Sequence, residues 1–194
     1  MAKRTTAKPV LKEIVIIAGP NGSGKSTLAG QLDLPPLFVS ADIYEKKYFG
    51  HIANKDKREK RVSVAVAHKV TECISKGVSF AFETVFAIKN IPRFLQKAKK
   101  RGYKITVHFV GTHDIDIGIG RVALRVTQGG HDVPKDMVID RYAKSLSILK
   151  ELIGFSDCVI VYDNSGTLIK PFLIKEDTQI KIIDTLPKWA KDIV

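Results

Sequence analysis

The sequence predicts an α/β protein in which an open, mostly parallel sheet carries helices on both faces. Short apolar runs rich in β-branched residues alternate along the chain with segments of helical periodicity. Polar residues or glycine follow several of these runs directly. No repeat, low-complexity tract or Pro/Gly linker divides the 194 residues. Residues 13–194 are therefore predicted to form a single domain behind a flexible basic tail, residues 1–12.

Five or six strands are predicted. The first, "EIVIIAG" (Glu13 to Gly19), has the continuous apolar profile of a strand buried on both faces. The next four are, in chain order, "LFVSAD", which ends at Asp42, "VSFAFE", "KITVHFVG" and "DCVIVYDNSG". The segment "TLIKPFLIKED" predicts a further strand or a hairpin broken by Pro171.

Segments of helical spacing separate these strands. Asn90 is predicted to cap one helix, with Pro92 in the first turn, where a missing N–H is harmless. Gly118 and Gly120 weaken another helix without breaking it. The predicted helices are Lys25 to about Leu32, residues 56–76, the helix that Asn90 begins, Asp114 to Thr127, Lys135 to Leu152, and the C-terminal tail.

The net charge of +12 suits anionic partners such as nucleic acid, acidic lipid or phosphorylated small molecules. No run approaches the ~20 apolar residues of a membrane span, and the basic start lacks the apolar stretch of a signal peptide, so a cytoplasmic protein is expected. The basic run from Arg93 to Lys104 has helical spacing without interleaved aromatic residues. This pattern favours a solvated helix face over a nucleic-acid surface.

The stretch "GPNGSGKST" fits the phosphate-binding pattern G-x-x-x-x-G-K-[ST]. Glycines let such a loop turn its backbone N–H groups inward toward phosphate oxygens. Lys25 is predicted to reach the β- and γ-phosphates of ATP, and the Ser26 hydroxyl to ligate Mg²⁺. The predicted nucleotide-binding residues are Gly19, Pro20, Asn21, Gly22, Ser23, Gly24, Lys25, Ser26 and Thr27, with Asn164 after the fifth strand. A plain Asn-Ser-Gly turn explains Asn164 equally well.

Several classes that use this loop are disfavoured by what the sequence lacks. The segment "TQGGHD" is a poor match to the L-S-G-G-Q-like signature of ATP-binding cassette proteins. No N-K-x-D motif for guanine is present, and the fourth strand lacks the adjacent acidic pair of a mechanical ATPase. A small phosphotransferase, which moves phosphate from ATP to a bound acceptor, remains.

Two carboxylates follow predicted strands at the edge where the phosphate loop also lies. Such a kinase needs one carboxylate to take the acceptor's proton and one to support Mg²⁺ or to hold the acceptor. Asp42 and Glu83 are the candidates, and either can instead cap a helix or a turn. Glu83 is the harder to explain as a cap, because it follows "VSFAF" directly and must leave a buried strand.

A helical hairpin with a glycine turn is predicted between the fourth and fifth strands. Arg121 and Arg125 are four residues apart and share one helix face, and Arg141 lies on the returning helix. The hinge residues are Gly129 and Gly130, followed by His131 and the helix-starting Pro134. A mobile lid that places arginines over the γ-phosphate is the functional interpretation; a solvated arginine face is the alternative. His131 is either a lid contact to phosphate or a turn residue.

Four segments together resemble the zeta-toxin family of P-loop kinases, and most closely its short stand-alone bacterial members, often described as predicted ABC-type ATPases. They are "GPNGSGKST", the aspartate in "ADIYEKK", "FETVFA" and "RVALRVTQGGHDVPKDMVIDRYAKSL", spanning roughly Ile14 to Asn164. The resemblance implies a three-layer P-loop NTPase fold with a helical lid, and phosphorylation of the sugar of UDP-N-acetylglucosamine by ATP and Mg²⁺.

By this resemblance Lys25 binds phosphate, Asp42 matches the acceptor-activating aspartate, and Glu83 with Thr84 matches an acceptor-binding segment. The chain departs from the family in the lid, where His131 stands at the place of an arginine. The sequence thus predicts an ATP-dependent phosphotransferase acting on a small anionic metabolite, with an antitoxin partner left open. The alternatives are a nucleotide-hydrolysing ATPase that acts with a protein partner and a nucleic-acid-processing protein regulated by ATP.

Overall fold

A computed structural model describes residues 11–86, 90–130 and 132–193. The strands are β1 (Lys12–Ala18), β2 (Phe38–Val39), β3 (Phe80–Thr84), β4 (Tyr103–Gly111), β5 (Cys158–Asp163), β6 (Lys170–Glu176) and β7 (Gln179–Ile182). The helices are α1 (Lys25–Ala29), α2 (Ala41–Tyr44), α3 (Lys55–Lys76), α4 (Ile91–Lys100), α5 (Ile115–Thr127) and α6 (Lys135–Ile153). A π-helical turn (Glu45–Phe49) extends α2, and a 3₁₀ helix (Lys188–Ile193) lies near the end of the chain.

The described strands form one sheet in the order β2-β3-β1-β4-β5-β6-β7. The first five strands in this order pair in parallel, and β6 and β7 are added antiparallel, which confirms the predicted α/β class with a mostly parallel sheet. The sheet has seven strands rather than five or six. Pro171 does not break β6, because it pairs with Tyr162 at an irregularity in the ladder, where a missing N–H is tolerated.

Helices cover both faces of the sheet, as predicted, but unequally. On one face Ile14 and Ile16 pack in a large core with residues of α3, α4 and α6. On the other face Val15 and Ile17 pack against the short α1 and the segment that follows it. Both sets of β1 side chains are buried, which is why the strand is apolar at successive positions.

Three local predictions are wrong. The first helix ends at Ala29 rather than near Leu32. Strand β2 ends at Val39, so Asp42 lies in the first turn of α2 instead of at the end of a strand. Asn90 precedes α4, but its own backbone is helical (φ −84°, ψ −2°) and its side chain makes no capping hydrogen bond. A capping side chain normally needs an extended backbone to reach back to the first turn.

The parallel strands bring their carboxyl ends to one edge of the sheet. In the strand register Ile17 lies beside Glu83, Ala18 beside Phe109, and Gly111 beside Asp163. The chain leaves β1 at this edge as the glycine loop. Open parallel sheets bind ligands here, so this edge is the candidate site. Within the described ranges, no helix is both long and apolar enough to cross a membrane.

Candidate active site

The glycine loop has a backbone shape that side chains would prevent. Gly22 and Gly24 both have positive φ angles, 75° and 100°. A Cβ at Gly24 would also lie 2.3 Å from the Asn164 amide nitrogen. Helix α1 begins at the next residue, Lys25. The helix has only five residues, so the backbone N–H groups of the loop are expected to contribute more to anion binding than a helix dipole does.

Lys25 is buried inside its own loop. Its ammonium donates a hydrogen bond of 3.0 Å to the carbonyl oxygen of Pro20. Burial lowers the pKa of Lys25 to about 8, while the negative charges of Glu83 and Asp42 act in the opposite direction. A phosphate bound beside this buried ammonium would stabilise its charged form and so offset the effect of burial.

Ser26 and Glu83 form the contact between the loop and β3. The Ser26 hydroxyl lies 3.1 Å from each carboxylate oxygen of Glu83. Burial raises the pKa of the Glu83 carboxyl, and the charge of Lys25 and the bond from Ser26 oppose that shift. A hydroxyl and a carboxylate are the hard oxygen donors that Mg²⁺ prefers, so this pair fits the predicted metal site.

Asp42 and Thr84 flank this pair. Asp42 is exposed on α2, and its charge acts on both Lys25 and Glu83. The Thr84 hydroxyl oxygen accepts a hydrogen bond of 3.2 Å from the backbone N–H of Phe86. Phe86 is fully buried with a positive φ of 51°, which is unusual for a bulky residue. The chain therefore turns sharply after β3, and Thr84 supports the turn.

The lid arginines gather over the glycine loop. Arg121 donates a 3.4 Å hydrogen bond to the carbonyl oxygen of Gly22. Arg141 donates one of 3.5 Å to the side-chain oxygen of Asn21. The positive charge of Arg125 acts on Lys25 and Glu83. The structure thus brings all three arginines to the site.

The predicted hinge follows α5. Gly129 has a φ of 79°, and the Gly130 N–H donates to the Arg125 carbonyl oxygen at 2.9 Å. A Cβ at Gly130 would lie 2.4 Å from the Arg125 side chain, so a larger residue would disturb this arginine. His131 lies outside the described residues.

Gly118 is a site-supporting residue that sequence reasoning missed. A Cβ at Gly118 would lie 2.7 Å from the backbone oxygen of Asn21, and one at Gly22 would lie 2.4 Å from the oxygen of Gly118. Helix α5 therefore rests directly on the loop. The available sequence signal is the glycine itself, because a glycine inside a helical segment weakens the helix and often marks close packing.

Asn164 lies behind the loop. Its side-chain amide donates a hydrogen bond of 2.7 Å to the backbone oxygen of Ser23. Its backbone N–H donates to the Gly111 oxygen at 2.9 Å. In this arrangement Asn164 supports the loop, and its predicted contact with the nucleotide stays a prediction.

A loop of sequence G-x-x-x-x-G-K-[ST] at the carboxyl edge of a mostly parallel sheet is typical of P-loop NTPases, and a helical hairpin after the fourth strand is typical of the P-loop kinases among them. The chain belongs to the Zeta toxin family, whose model matches residues 2–170. An uncharacterized protein of Haemophilus influenzae is 26% identical over 138 residues, which cover 66% of this chain and 91% of that protein.

Solved structures share the fold at low identity. A chain of the AvrRxo1-ORF1:-ORF2 structure with ATP has a TM-score of 0.71 and 11% identity; the match covers 90% of this chain and 61% of that one. A chain from the PezAT chromosomal toxin-antitoxin system of Streptococcus pneumoniae has a TM-score of 0.58 and 12% identity, over 82% and 70% of the two chains. The present chain thus spans about three fifths of the AvrRxo1 chain.

Proposed function

We propose that this protein transfers the γ-phosphate of ATP to a hydroxyl of a small anionic acceptor in the cytoplasm. Membership of the Zeta toxin family supports an ATP-dependent phosphotransferase. The observation that carries the proposal is the gathering of opposite charges at one edge of the sheet. The negative charges of Glu83 and Asp42 raise the pKa of Lys25, and the positive charges of Arg125 and Arg141 lower it, so all four groups act on this ammonium.

The loop and its neighbours hold the donor. Backbone N–H groups of residues 21–27 and the Lys25 ammonium bind the β- and γ-phosphates. Ser26 and Glu83 would hold Mg²⁺, which supplies positive charge to the phosphate oxygens. Arg121, Arg125 and Arg141 neutralise the charge that develops as the phosphoryl group leaves, an effect worth ~10³ or more in rate for an arginine finger.

The carboxylates handle the acceptor. Asp42 is exposed and its charge acts on Lys25, which supports a place for the acceptor hydroxyl between this carboxylate and the γ-phosphate. Asp42 accepts the hydroxyl proton as the acceptor oxygen attacks phosphorus and the bond to ADP breaks. Thr84 and Glu83 line the acceptor side.

A UDP-N-acetyl amino sugar is the first acceptor to test. The family resemblance supports this choice, and the net charge of +12 suits an anionic acceptor. The PezAT relative comes from a toxin-antitoxin system, which supports a protein partner of the antitoxin type for this chain.

The test is incubation of the protein with ATP labelled at the γ-phosphate, with UDP-N-acetylglucosamine and separately with a metabolite pool. Label should move to an organic product, whose identification names the acceptor, and Lys25→Ala should give none. Release of label only as inorganic phosphate, unaffected by any acceptor, would instead establish a nucleotide-hydrolysing ATPase.

A further inference from the structure

The 3₁₀ helix at residues 188–193 lies beyond the family-matched segment and packs beneath the candidate site. It carries Trp189, the single tryptophan of the chain. The indole lies against Phe109 and Phe172, with ring centroids 6.2 and 5.5 Å away. Ala190 and Ile193 of the same segment are buried in the core. This segment is therefore an integral part of the fold.

Trp189 also contacts the ends of two central strands. Its indole N–H donates a hydrogen bond of 2.8 Å to the Asp163 carboxylate at the end of β5. The Ser165 hydroxyl donates to the same carboxylate oxygen at 2.6 Å. At the end of β4, a Cβ on Gly111 would lie 2.3 Å from the indole ring, so only glycine leaves room for it. One side chain thus fixes both strand ends.

The same turn touches the phosphate loop. Asn164 follows Asp163 directly, and its backbone N–H bonds to Gly111. Its side-chain amide bonds to the backbone oxygen of Ser23, inside the loop. A continuous path of contacts therefore runs from Trp189 through Asp163 and Asn164 to the glycine loop, the proposed phosphate-binding element.

We propose that Trp189 is a positioning residue of the nucleotide site. Its N–H donates to the Asp163 carboxylate and so fixes the position of the 163–165 turn. That turn positions the Asn164 side-chain amide, which in turn bonds to the loop at Ser23. Hydrogen bonds to a charged group in a partly buried place are stronger and more directional than neutral ones. The proposal rests on the proposed function in one respect, that the bound nucleotide is ATP.

A residue that merely fills the core would behave differently. Its loss would lower the melting temperature and the fraction of folded protein. The affinity of the remaining folded molecules for ATP would not change. The dissociation constant therefore separates the two roles, because it does not depend on how much of the sample is active.

The experiment measures Kd for ATP with Mg²⁺ by calorimetry on the full chain. The variants are Trp189→Phe, which keeps an aromatic ring but loses the N–H, Asp163→Ala, which removes the acceptor, and the double variant. Leu152→Ala, at the opposite end of α6 from the lid, is the control for lost core packing. Asp163→Ala leaves the indole in place, so it tests the contact even if Trp189→Phe folds poorly.

Each single variant should raise Kd about tenfold, the scale of a hydrogen bond to a charged group. The Kd of the double variant should be no higher than that of the single variant with the higher Kd, because the two substitutions remove the same contact. Leu152→Ala should keep the wild-type Kd. Single variants within twofold of wild type, or effects that multiply in the double variant, overturn the positioning role. Absence of ATP binding by the wild-type protein would instead overturn the proposed function.

Discussion

The Ser26 hydroxyl lies 3.1 Å from both carboxylate oxygens of Glu83, and this contact joins the glycine loop to the neighbouring strand β3. The two residues are far apart in the chain, and the parallel register of β1 and β3 brings them together. Because one supplies a hydroxyl oxygen and the other a carboxylate, the pair is suited to Mg²⁺ as well as to each other.

Glu83→Gln should weaken the binding of Mg²⁺ without unfolding the protein. The amide oxygen can still accept from Ser26, but the negative charge that would hold the cation is gone. The Mg²⁺ concentration for half-maximal activity should rise by about tenfold or more. Glu72→Gln, at a surface ion pair with Lys69 and Lys76, is the matched control. An unchanged Mg²⁺ profile for Glu83→Gln would remove Glu83 from the metal site.

Asp42→Asn should separate transfer from binding. The substitution keeps the shape of the side chain but removes the base, so product formation should fall by ~10² or more. ATP should still bind, since the loop is untouched. The measurements are ATP binding, acceptor-free hydrolysis and product formation on one preparation. Preserved product formation would leave Asp42 as a residue of the α2 turn and make Glu83 the candidate base.

ATP affinity should decline at alkaline pH because of Lys25. Its pKa in the free protein is lowered by burial to about 8, and bound phosphate favours the protonated form. Above that pH, binding must therefore take up a proton, and below it the lysine is already charged. Calorimetry in two buffers of different ionisation enthalpy should show uptake approaching one proton at about pH 9 and little uptake from this group at about pH 6.5. Equal uptake at the two pH values would contradict the assignment.

Arg125→Ala should lower kcat by ~10² to 10³ while changing the KM for ATP little. This is the behaviour expected of a group that stabilises charge developing in the transition state. Arg121→Ala should affect both constants, because Arg121 also bonds to the Gly22 carbonyl in the loop. Arg101→Ala, after α4, is the control. Full kcat in both lid variants would show that the hairpin is no catalytic lid.

Gly118→Ala and Gly120→Ala form a matched pair on α5. A Cβ at Gly118 meets the Asn21 oxygen at 2.7 Å, whereas one at Gly120 has no described atom within 4 Å apart from the nearby backbone of its own helix. Gly118→Ala should displace the loop and raise the KM for ATP. Gly120→Ala should leave kinetics unchanged and stabilise the helix by about 0.5–1 kcal/mol. Steady-state kinetics and thermal unfolding are measured for both variants. Equal KM values for ATP in the two variants would show that the loop accommodates the added methyl group without losing affinity for ATP.

The parts of the site predicted best are those encoded by neighbouring residues. The glycine loop and β1 carry their own signals, since backbone turns and continuous burial leave local traces in the residue types. Asp42 is predicted at the end of a strand, whereas it lies in the first turn of α2. Strand β2 pairs with β3 through Phe38 and Val39, and nothing in the local sequence marks where that pairing ends.

The sequence by itself determined the α/β alternation, the phosphate loop and the order of loop, carboxylates and lid arginines. Tertiary structure alone decided which distant groups touch: Gly118 on the Asn21 backbone, Asn164 on Ser23, and Trp189 on Asp163. The reason is physical. Periodicity and turn chemistry are properties of adjacent residues, whereas these contacts depend on strand register and helix packing, which bring together segments up to 141 residues apart.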